Sequence, residues 1–317
     1  MSPEPPYGPA DASLAPRFTG IRTFARCPYV DDPAGVDVGI VGVPFDTATS
    51  YRTGARFGPE AIRSASSLLR PWHPSLRVDV FAGRSVADLG DLAVTPGNAE
   101  RTAGQIAEGL GGVLAAGVTP IVLGGDHSVV LGELRAHAAR AGEPLGLVLL
   151  DAHADTWDQY YGERYFHGTP FRRALEEGLL APERSLLAGM RGSLYAESDL
   201  GDTREMGFEV VSTADLRALS PEEYGRRVRE RVRSGPVYFS FDIDVIDPAS
   251  APATGTPEVA GLLPHEALAF IRSLAGLRFA GFDVVEVSPP YDNPGQITAL
   301  LAANVAYEFL ALTAVAA

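Results

Sequence analysis

The chain has 317 residues, of which 46% are hydrophobic and 21% are charged, so it can bury the core of one α/β domain. Its formal net charge of −14 excludes the basic stripe that binds phosphate backbones, and we expect no nucleic-acid partner. Cys27 is the sole cysteine, which excludes an intramolecular disulfide and a cluster of thiolate metal ligands.

The chain begins with a segment rich in proline and alanine, residues 1–16. This segment lacks the basic start and the apolar run of a secretion signal, so we expect a cytoplasmic protein. The first apolar, β-branched run begins at residue 36. We therefore predict an N-terminal arm over residues 1–35 and a single domain over residues 36–317.

Beyond the arm, apolar β-branched runs alternate with segments of helical periodicity. The predicted strands are 36–43, 120–123, 145–150, 185–188, 208–211, 237–241 and 279–287. The predicted helices are 59–69, 98–116, 128–141, 221–233 and 264–277, several of which have proline near the start. This alternation predicts an α/β fold with a mostly parallel sheet that is covered by helices on both faces.

The C-terminal stretch, residues 297–317, is almost entirely apolar and long enough to span a bilayer. Asn304 and Glu308 interrupt it, and polar groups at the middle of a membrane are costly. We therefore expect a helix that packs on the sheet, with no membrane partner.

Polar residues follow three of the predicted strands at the point where each apolar run ends. They are His127 after 120–123, Asp151, His153 and Asp155 after 145–150, and Asp242 and Asp244 after 237–241. If each strand continues extended, a spacing of two residues places these side chains on one face. Because ligands bind beyond the carboxyl ends of parallel strands, we expect the three groups to meet in one pocket.

A metal centre follows from the charges of these residues. Four carboxylates would repel one another at the edge of a buried sheet unless cations neutralised them, and two divalent ions supply that charge. His127 and His153 would complete the two ligand sets as neutral donors. Oxygen ligands outnumber nitrogen and sulfur is absent, a mixture that favours Mn²⁺ over structural Zn²⁺.

Asp126 precedes His127 and has two open interpretations. Its carboxylate could cap the helix that begins near Ser128, or it could orient His127. The sequence favours the cap.

Three motifs resemble the signatures of the ureohydrolase family, which includes arginase and agmatinase. They are Gly-Gly-Asp-His-Ser at 124–128, Asp-Ala-His-Ala-Asp at 151–155 and Ser-Phe-Asp-Ile-Asp-Val-Ile-Asp-Pro at 240–248. The resemblance extends from about residue 36 to the C-terminus and implies an arginase-like three-layer α/β/α sandwich with two Mn²⁺ per subunit. It further implies a homo-oligomer, trimeric or hexameric.

The resemblance also implies roles for individual residues. Asp151 and Asp242 would bridge both ions, with His127 and Asp155 completing one site and His153 and Asp244 the other.

Two more positions match the family outside these motifs. His167 matches a histidine that carries protons near neutral pH, and Glu286 matches the glutamate that binds the substrate guanidinium. The implied reaction is attack of hydroxide, generated by the ions, on the guanidinium carbon. Asp155 would protonate the leaving amine, and His167 would help to restore the hydroxide.

Two loops give evidence on the identity of the substrate. Residues 50–59 and 254–258 resemble loops that agmatinases share with guanidino-acid hydrolases, although Thr53 replaces the usual proline and Ala253 the usual glycine. The loop 50–59 serves either substrate binding or subunit contact. In the loop 156–166, Asp158 and Glu163 would suit an ammonium group, whereas Arg164 would suit a carboxylate.

These features favour agmatine, hydrolysed to putrescine and urea. The alternative is a guanidino-acid hydrolase of the 4-guanidinobutyrase, 3-guanidinopropionase or proclavaminate amidinohydrolase type. A deacetylase with one catalytic Zn²⁺ would need fewer carboxylates. A catalytically inert relative that binds a metal or a guanidino ligand is a remaining alternative, although the ligand positions, His167 and Glu286 are all intact.

Overall fold

The fold is built on a central eight-stranded sheet in the computed structural model, which describes residues 7–196 and 198–315. The strands of this sheet are β1 Val38–Gly42, β4 Val86–Asp91, β5 Thr119–Leu123, β6 Gly146–Leu150, β7 Leu186–Met190, β8 Glu209–Ser212, β9 Val237–Asp242 and β10 Phe279–Val285. Two short strands, β2 Trp72–His73 and β3 Val78–Asp79, form a separate antiparallel hairpin.

The strand order in the large sheet is β4-β1-β5-β10-β9-β6-β7-β8. Every pairing between neighbours is parallel, which confirms the predicted sheet type. The four central strands, β5, β10, β9 and β6, therefore end at the same edge of the sheet. The polar clusters predicted from the sequence follow three of these four strands.

Helices cover both faces of the sheet. They are α1 Gly58–Ala65, α2 Ala99–Ala115, α3 Val130–Ala141, α4 Pro170–Glu176, α5 Ser198–Glu205, α6 Thr213–Arg217, α7 Pro221–Val232, α8 Pro264–Arg272 and α9 Ile297–Val315. The helices α2, α3 and α4 pack together on one face, whereas α1, α8 and α9 pack together on the other. Strand β6 shows the result, since Leu147 and Leu149 pack with the α3 side and Val148 and Leu150 pack with the α9 side. The three-layer α/β/α sandwich is confirmed.

The predicted strands correspond to all of the large sheet except β4, and α4, α5 and α6 were not predicted either. Strand β4 escapes the pattern because it is polar: Asp88 is buried in it and Asp91 ends it. Both carboxylates bind the guanidinium of Arg63 on α1, with Arg63 Nε 2.8 Å from Asp88 Oδ2 and Nη1 2.6 Å from Asp91 Oδ1. A buried ion pair thus occupies a position where hydrophobic periodicity would require an apolar residue.

The apolar C-terminal stretch forms α9, a helix long and apolar enough to cross a membrane by length and composition. In this fold 72% of its apolar window is buried, and it packs against β10, α1 and α8. This agrees with the prediction of a helix that packs on the sheet.

The described part of the N-terminal arm, residues 7–35, lies along the edge strand β4. The backbone N–H of Phe24 donates to the Asp88 carboxylate at 2.8 Å, and Tyr29 forms a parallel bridge with Asp88. Phe24 is fully buried. The proposed boundary between residues 35 and 36 stays a prediction.

Candidate metal centre

The loop after β5 is held in place by close approach of two backbones. A Cβ atom on Gly125 would lie 1.7 Å from the carbonyl oxygen of Phe45, so only glycine fits there. The N–H of Asp126 donates to that same carbonyl at 2.7 Å, and the N–H of Glu286 donates to the carbonyl of Gly125 at 2.8 Å. These bonds fix His127, the next residue, at the junction of β1, β5 and β10.

Asp126 is a cap in the structure, as the sequence favoured. Its Oδ1 accepts from the N–H of Ser128 at 3.0 Å, at the start of the 3-10 turn His127–Val129. Its Oδ2 accepts from the N–H of Ala48 at 2.9 Å. The carboxylate thus joins the β5 loop to the β1 loop, and the ring of His127 is bound by other residues.

His127 lies at the centre of three carboxylates. Its Nδ1 is 3.1 Å from Oδ2 of Asp151, 2.9 Å from Oδ2 of Asp155 and 3.4 Å from Oδ2 of Asp242. These residues come from three different strand ends, so the convergence predicted from the sequence is present in the fold.

The second group lies on the other side of Asp151. Nδ1 of His153 is 3.0 Å from Oδ2 of Asp244 and 3.6 Å from Oδ1 of Asp151. Asp151 therefore belongs to both groups that could hold a metal ion, His127–Asp151–Asp242 and Asp151–His153–Asp244. All six residues predicted as metal ligands are brought together.

The reason given for this convergence is wrong in one respect. We expected extended strands beyond the apolar runs, but β6 ends at Leu150 and β9 ends at Asp242. Asp155 has a left-handed backbone, φ +49°, and Asp244 lies in a 3-10 turn. The short turns are stabilised by the acids themselves, since Asp151 Oδ1 accepts from the N–H of His153 at 2.6 Å and Asp242 Oδ1 accepts from that of Asp244 at 2.7 Å.

The polar atoms in this pocket fit a pair of cations. Within the described residues, Nδ1 of His127, Oδ2 of Asp151 and Oδ2 of Asp244 are buried without a hydrogen-bond partner. Burial, together with the charges of Asp244 and Asp151, raises the pKa of Asp242 well above its ordinary value. Crowded carboxylates stay ionised together only if positive charge is placed among them, and the unpartnered atoms face the space where such charge would bind.

Glu286 and His167, the two predicted residues outside the metal motifs, are adjacent. Oε1 of Glu286 accepts from the backbone N–H of His127 at 3.0 Å and lies 2.9 Å from Nδ1 of His167. Oε2 of Glu286 is buried, and no donor in the described part of the chain reaches it. Glu286 has a left-handed backbone, φ +62°, which ends β10 at Val285 and turns the carboxylate out of the strand.

His167 also contacts the loop after β1. Its Nε2 lies 2.7 Å from Oγ of Ser50 and 3.0 Å from the backbone nitrogen of Ser50. Burial alone would lower the pKa of His167, but the Glu286 carboxylate outweighs burial and raises it above its ordinary value. The loop 50–59 thus supports the site, and Arg56 in that loop is bound to the buried Asp46 of the same chain.

The two departures from the family pattern have different surroundings. Ala253 is fully buried, and its N–H donates to Oγ1 of Thr298 at 3.2 Å. It therefore packs against the start of α9. Thr53 is exposed, and its side chain forms no hydrogen bond with residues 7–196 and 198–315.

Sequence reasoning missed the residues behind His127. Nε2 of His127 lies 2.9 Å from Oγ of Ser240, which donates to Oδ1 of Asp283 at 2.7 Å. Both are fully buried, on β9 and β10. A signal was available, because Tyr238, Ser240 and Asp242 alternate along one face of an otherwise apolar strand.

Two charged residues of the loop 156–166, Asp158 and Arg164, are held in ion pairs within the chain. Asp158 accepts from Nη2 of Arg173 at 2.6 Å, and Arg164 donates to Glu176 at 2.6 Å. Three aromatic residues of this loop, Trp157, Tyr160 and Tyr161, line an open cleft.

The cleft above the site is aromatic and acidic. Four aromatic side chains line it together with two carboxylates: Trp157, Tyr160, Tyr161, Tyr195, Asp158 and Asp199. Trp157 and Asp199 also line the inner space beside His153 and Asp155, so the cleft continues from the metal pocket. Arg191 is the basic residue of that inner space, and its guanidinium is occupied by backbone carbonyls, including those of Asp244 at 2.6 Å and Glu258 at 2.8 Å.

Comparison with known proteins places this arrangement in a family. The model of the arginase family matches residues 36–312. A guanidinopropionase from Pseudomonas aeruginosa is 46% identical over 96% of this chain and 96% of its own, and an agmatinase from Gallus gallus is 44% identical over 95% and 88%. The solved structure of a proclavaminate amidino hydrolase from Streptomyces clavuligerus superposes with a TM-score of 0.90 at 42% identity, covering 96% of this chain and 100% of that one. The chain therefore belongs to the arginase family.

Proposed function

We propose that the protein hydrolyses a guanidino compound to urea and an amine. The observation that carries this proposal is the free oxygen of Glu286, a buried acceptor beside a pocket built for two cations. A guanidinium group presents planar N–H donors that match a carboxylate. In the reaction one water adds to the guanidinium carbon, one carbon–nitrogen bond breaks, and urea and a protonated amine are released.

The metal ions that fit this pocket are two divalent cations per subunit, and we propose Mn²⁺. The ligand atoms are carboxylate oxygens and two imidazole nitrogens, without sulfur, and Mn²⁺ accepts this mixture. When bound, the ions supply the Lewis acidity that makes water nucleophilic near neutral pH. The proposed ligands are His127, Asp151, His153, Asp155, Asp242 and Asp244.

The chain's own residues bind and orient the substrate around this centre. Glu286 holds the guanidinium through Oε2, because its Oε1 is already occupied by the N–H of His127 and by His167. Asp155, whose side chain borders the inner space of the cleft, is placed to give a proton to the departing amine. His167, held between Glu286 and Ser50, is placed to carry a proton between the pocket and its surroundings.

Agmatine is the substrate that we propose on the basis of the cleft. Its guanidinium would bind at Glu286 and its distal ammonium would lie among aromatic rings and carboxylates, which attract cations. Asp199 accepts only backbone N–H groups among its described contacts, from Tyr195 at 2.9 Å and Ala196 at 3.3 Å, so its charge is not neutralised by a basic side chain. Arg191 and Arg164, which could bind a carboxylate, are occupied elsewhere.

A guanidino acid is the second candidate, and the names of the relatives favour it. One relative at 46% identity is a guanidinopropionase, and the superposed structure is a proclavaminate amidino hydrolase. A relative at 44% identity is named agmatinase. The relatives therefore support the reaction class for this chain and leave both kinds of substrate as candidates.

The reaction class is tested by urea release from the Mn²⁺-loaded protein. We expect urea from at least one of agmatine, 4-guanidinobutyrate, 3-guanidinopropionate and arginine. Glu286→Gln should lower kcat/KM for that substrate by on the order of 100-fold, because the guanidinium loses its charged partner. A protein that binds two ions and releases no urea from any of these compounds would be a binding protein and not an enzyme.

The choice between agmatine and a guanidino acid is tested by removing one negative charge from the cleft. Asp199→Asn should raise KM for agmatine by about 5-fold while KM for 4-guanidinobutyrate stays the same or falls. Asp202→Asn on the exposed side of the same helix is the matched control and should change neither value. A larger kcat/KM for the guanidino acids than for agmatine in the wild type would favour the second candidate.

A further inference from the structure

A chain of buried polar side chains runs away from the metal pocket into the core. It consists of Ser240 and Tyr238 on β9, Asp283 on β10 and Glu133 on α3, and all four residues are fully buried. The proposed reaction uses none of them. Buried carboxyl groups are costly unless each oxygen finds a partner, so their presence needs a physical reason.

The register of the sheet places these residues in one layer. Ser240 pairs with Asp283 across β9 and β10, and Tyr238 pairs with Gly281 two residues earlier. Tyr238, Ser240 and Asp242 point to the same face because strand residues alternate. Helix α3 packs on that face and directs Glu133 toward Tyr238, whose hydroxyl donates to Oε2 of Glu133.

Two carboxyl groups meet in this layer. Glu133 and Asp283 are brought to the same face of β9, since Glu133 accepts from the hydroxyl of Tyr238 and Asp283 accepts from Ser240 two residues further along that strand. Oε1 of Glu133 and Oδ2 of Asp283 are buried, and no donor from the described residues points to either oxygen. Two facing carboxyl oxygens can form a hydrogen bond only if one of them carries a proton.

The surroundings show which group carries the proton. Asp283 Oδ1 accepts from Oγ of Ser240 at 2.7 Å and from the N–H of Phe241 at 3.2 Å, two bonds that favour its ionised form. Among the described residues, Glu133 accepts only from the hydroxyl of Tyr238. Burial and the nearby Asp283 carboxylate raise the pKa of Glu133 well above its ordinary value.

We propose that Glu133 is a positioning residue that donates a proton to Asp283 and, through Asp283 and Ser240, orients His127 toward the metal pocket. The donors then converge on Asp283 from both sides. Glu133 donates to Asp283, which accepts from Ser240, and Ser240 accepts from Nε2–H of His127. With Nε2 carrying the hydrogen, Nδ1 of His127 is left with a free electron pair facing Asp151, Asp155 and Asp242.

One further titratable group lies against this layer. His137, one helical turn after Glu133, packs its ring 5.1 Å from that of Tyr238. Gly281 makes room for it, since a Cβ there would lie 2.4 Å from Cε1 of His137. Burial lowers the pKa of His137 to about 4, so it is neutral near pH 7 and adds no charge to the layer.

The first test compares two substitutions of Glu133. Glu133→Gln keeps a donor for Asp283 and an acceptor for Tyr238, so the affinity for Mn²⁺ should stay within about 3-fold of the wild type. Glu133→Leu removes both and should weaken Mn²⁺ binding by about 10-fold or more. Affinity is measured by calorimetric titration of Mn²⁺ into the metal-free protein, and Glu143→Leu, at an exposed position just beyond α3, is the matched control.

The second measurement does not depend on whether Glu133→Leu folds. The infrared spectrum of the metal-free wild type at pH 7 should contain a protonated carboxyl band that is missing from Glu133→Gln. The inference is overturned if that band is unchanged, if Glu133→Gln binds Mn²⁺ as weakly as Glu133→Leu, or if Glu133→Leu binds it as tightly as the wild type. The inference rests on the metal centre of the proposed function, but none of these readouts uses a substrate. A protein that released no urea would therefore refute the proposed reaction and leave this test intact.

Discussion

Two buried clusters of charged residues can be compared in this fold, one at the metal pocket and one under α9. In the second cluster, Glu308 accepts from Nε2 of His73 at 2.9 Å and from Arg272 at 2.5 and 3.0 Å. The other ring nitrogen of His73 accepts from the N–H of Leu76 at 3.1 Å. Every polar atom of these side chains that is buried has a partner, and the carboxylate is matched by a guanidinium.

The metal pocket differs in its surplus of acceptors. Asp151 and Asp244 each retain a buried oxygen without a donor, and His127 retains a ring nitrogen. No arginine or lysine side chain of the described residues forms a salt bridge with these groups. Removing one member of a fully partnered buried cluster destabilises a fold, whereas a buried charge without partners indicates the binding of an ion or ligand that supplies them.

The largest effect is expected where the shared ligand is removed. Asp151→Ala should lower kcat/KM by on the order of 10³-fold or more, because this residue belongs to both metal groups. Elemental analysis should find fewer than two Mn²⁺ per subunit. The unfolding free energy of the metal-free protein should fall by only about 1 kcal/mol, since relief of carboxylate repulsion offsets part of the hydrogen bond lost to the N–H of His153. Glu222→Ala, at an exposed position on α7, is the control, and wild-type turnover by Asp151→Ala would show that the site is misassigned.

The opposite pattern is expected under α9. Glu308→Leu leaves His73 and Arg272 without their partner and should lower the unfolding free energy by about 3–5 kcal/mol. The activity of each folded molecule should be unchanged, because this cluster is not part of the metal pocket. Denaturation in guanidinium chloride and an activity assay on the folded fraction measure the two quantities. Loss of activity without loss of stability would contradict the distinction between the clusters.

Metal removal should distinguish the two clusters by a smaller change in the free energy of unfolding. At a free Mn²⁺ concentration of about 10 times the Kd of each site, the two bound ions together should raise the unfolding free energy by about 3 kcal/mol over the metal-free protein. Glu308→Leu should show the same gain, and Asp151→Ala should show much less of it. Thermal unfolding with and without a chelator provides the measurement. An equal gain in all three proteins would mean that Mn²⁺ binds elsewhere.

The smallest effect is expected at His137, which belongs to neither cluster. Burial lowers its pKa to about 4 in the folded state, below the ordinary value of 6.5. Folding therefore favours the neutral ring, and the stability that it contributes above about pH 6.5 is lost as the pH falls toward 4. His137→Leu should remove on the order of 2 kcal/mol of this acid sensitivity. Chemical denaturation at several pH values measures it, and parallel pH profiles for both proteins would contradict the assignment.

The residues that the sequence predicted to converge do converge, but the extended backbone given as one reason for it is absent. His127, Asp151 and Asp242 do meet, because each follows an apolar strand and the ends of parallel strands lie along one edge. The extended backbone that was expected to align Asp151 with Asp155 is absent, because turns within a few residues depend on local hydrogen bonds that periodicity does not encode. Strand β4 was missed for a related reason, since its buried Asp88 is matched by an arginine 25 residues away.

The sequence by itself determined the kind of fold and the residues that converge in the candidate metal centre, because hydrophobic alternation and short motifs are local properties of the chain. Only the tertiary structure decided which charged residues remain free: it bound Asp158 to Arg173, left Asp199 in the cleft and placed Glu133 behind His127. Such contacts join residues far apart in the sequence, with Ser240 lying 113 residues from His127. The free energy of a buried polar group depends on its neighbours in space, and no local pattern specifies them.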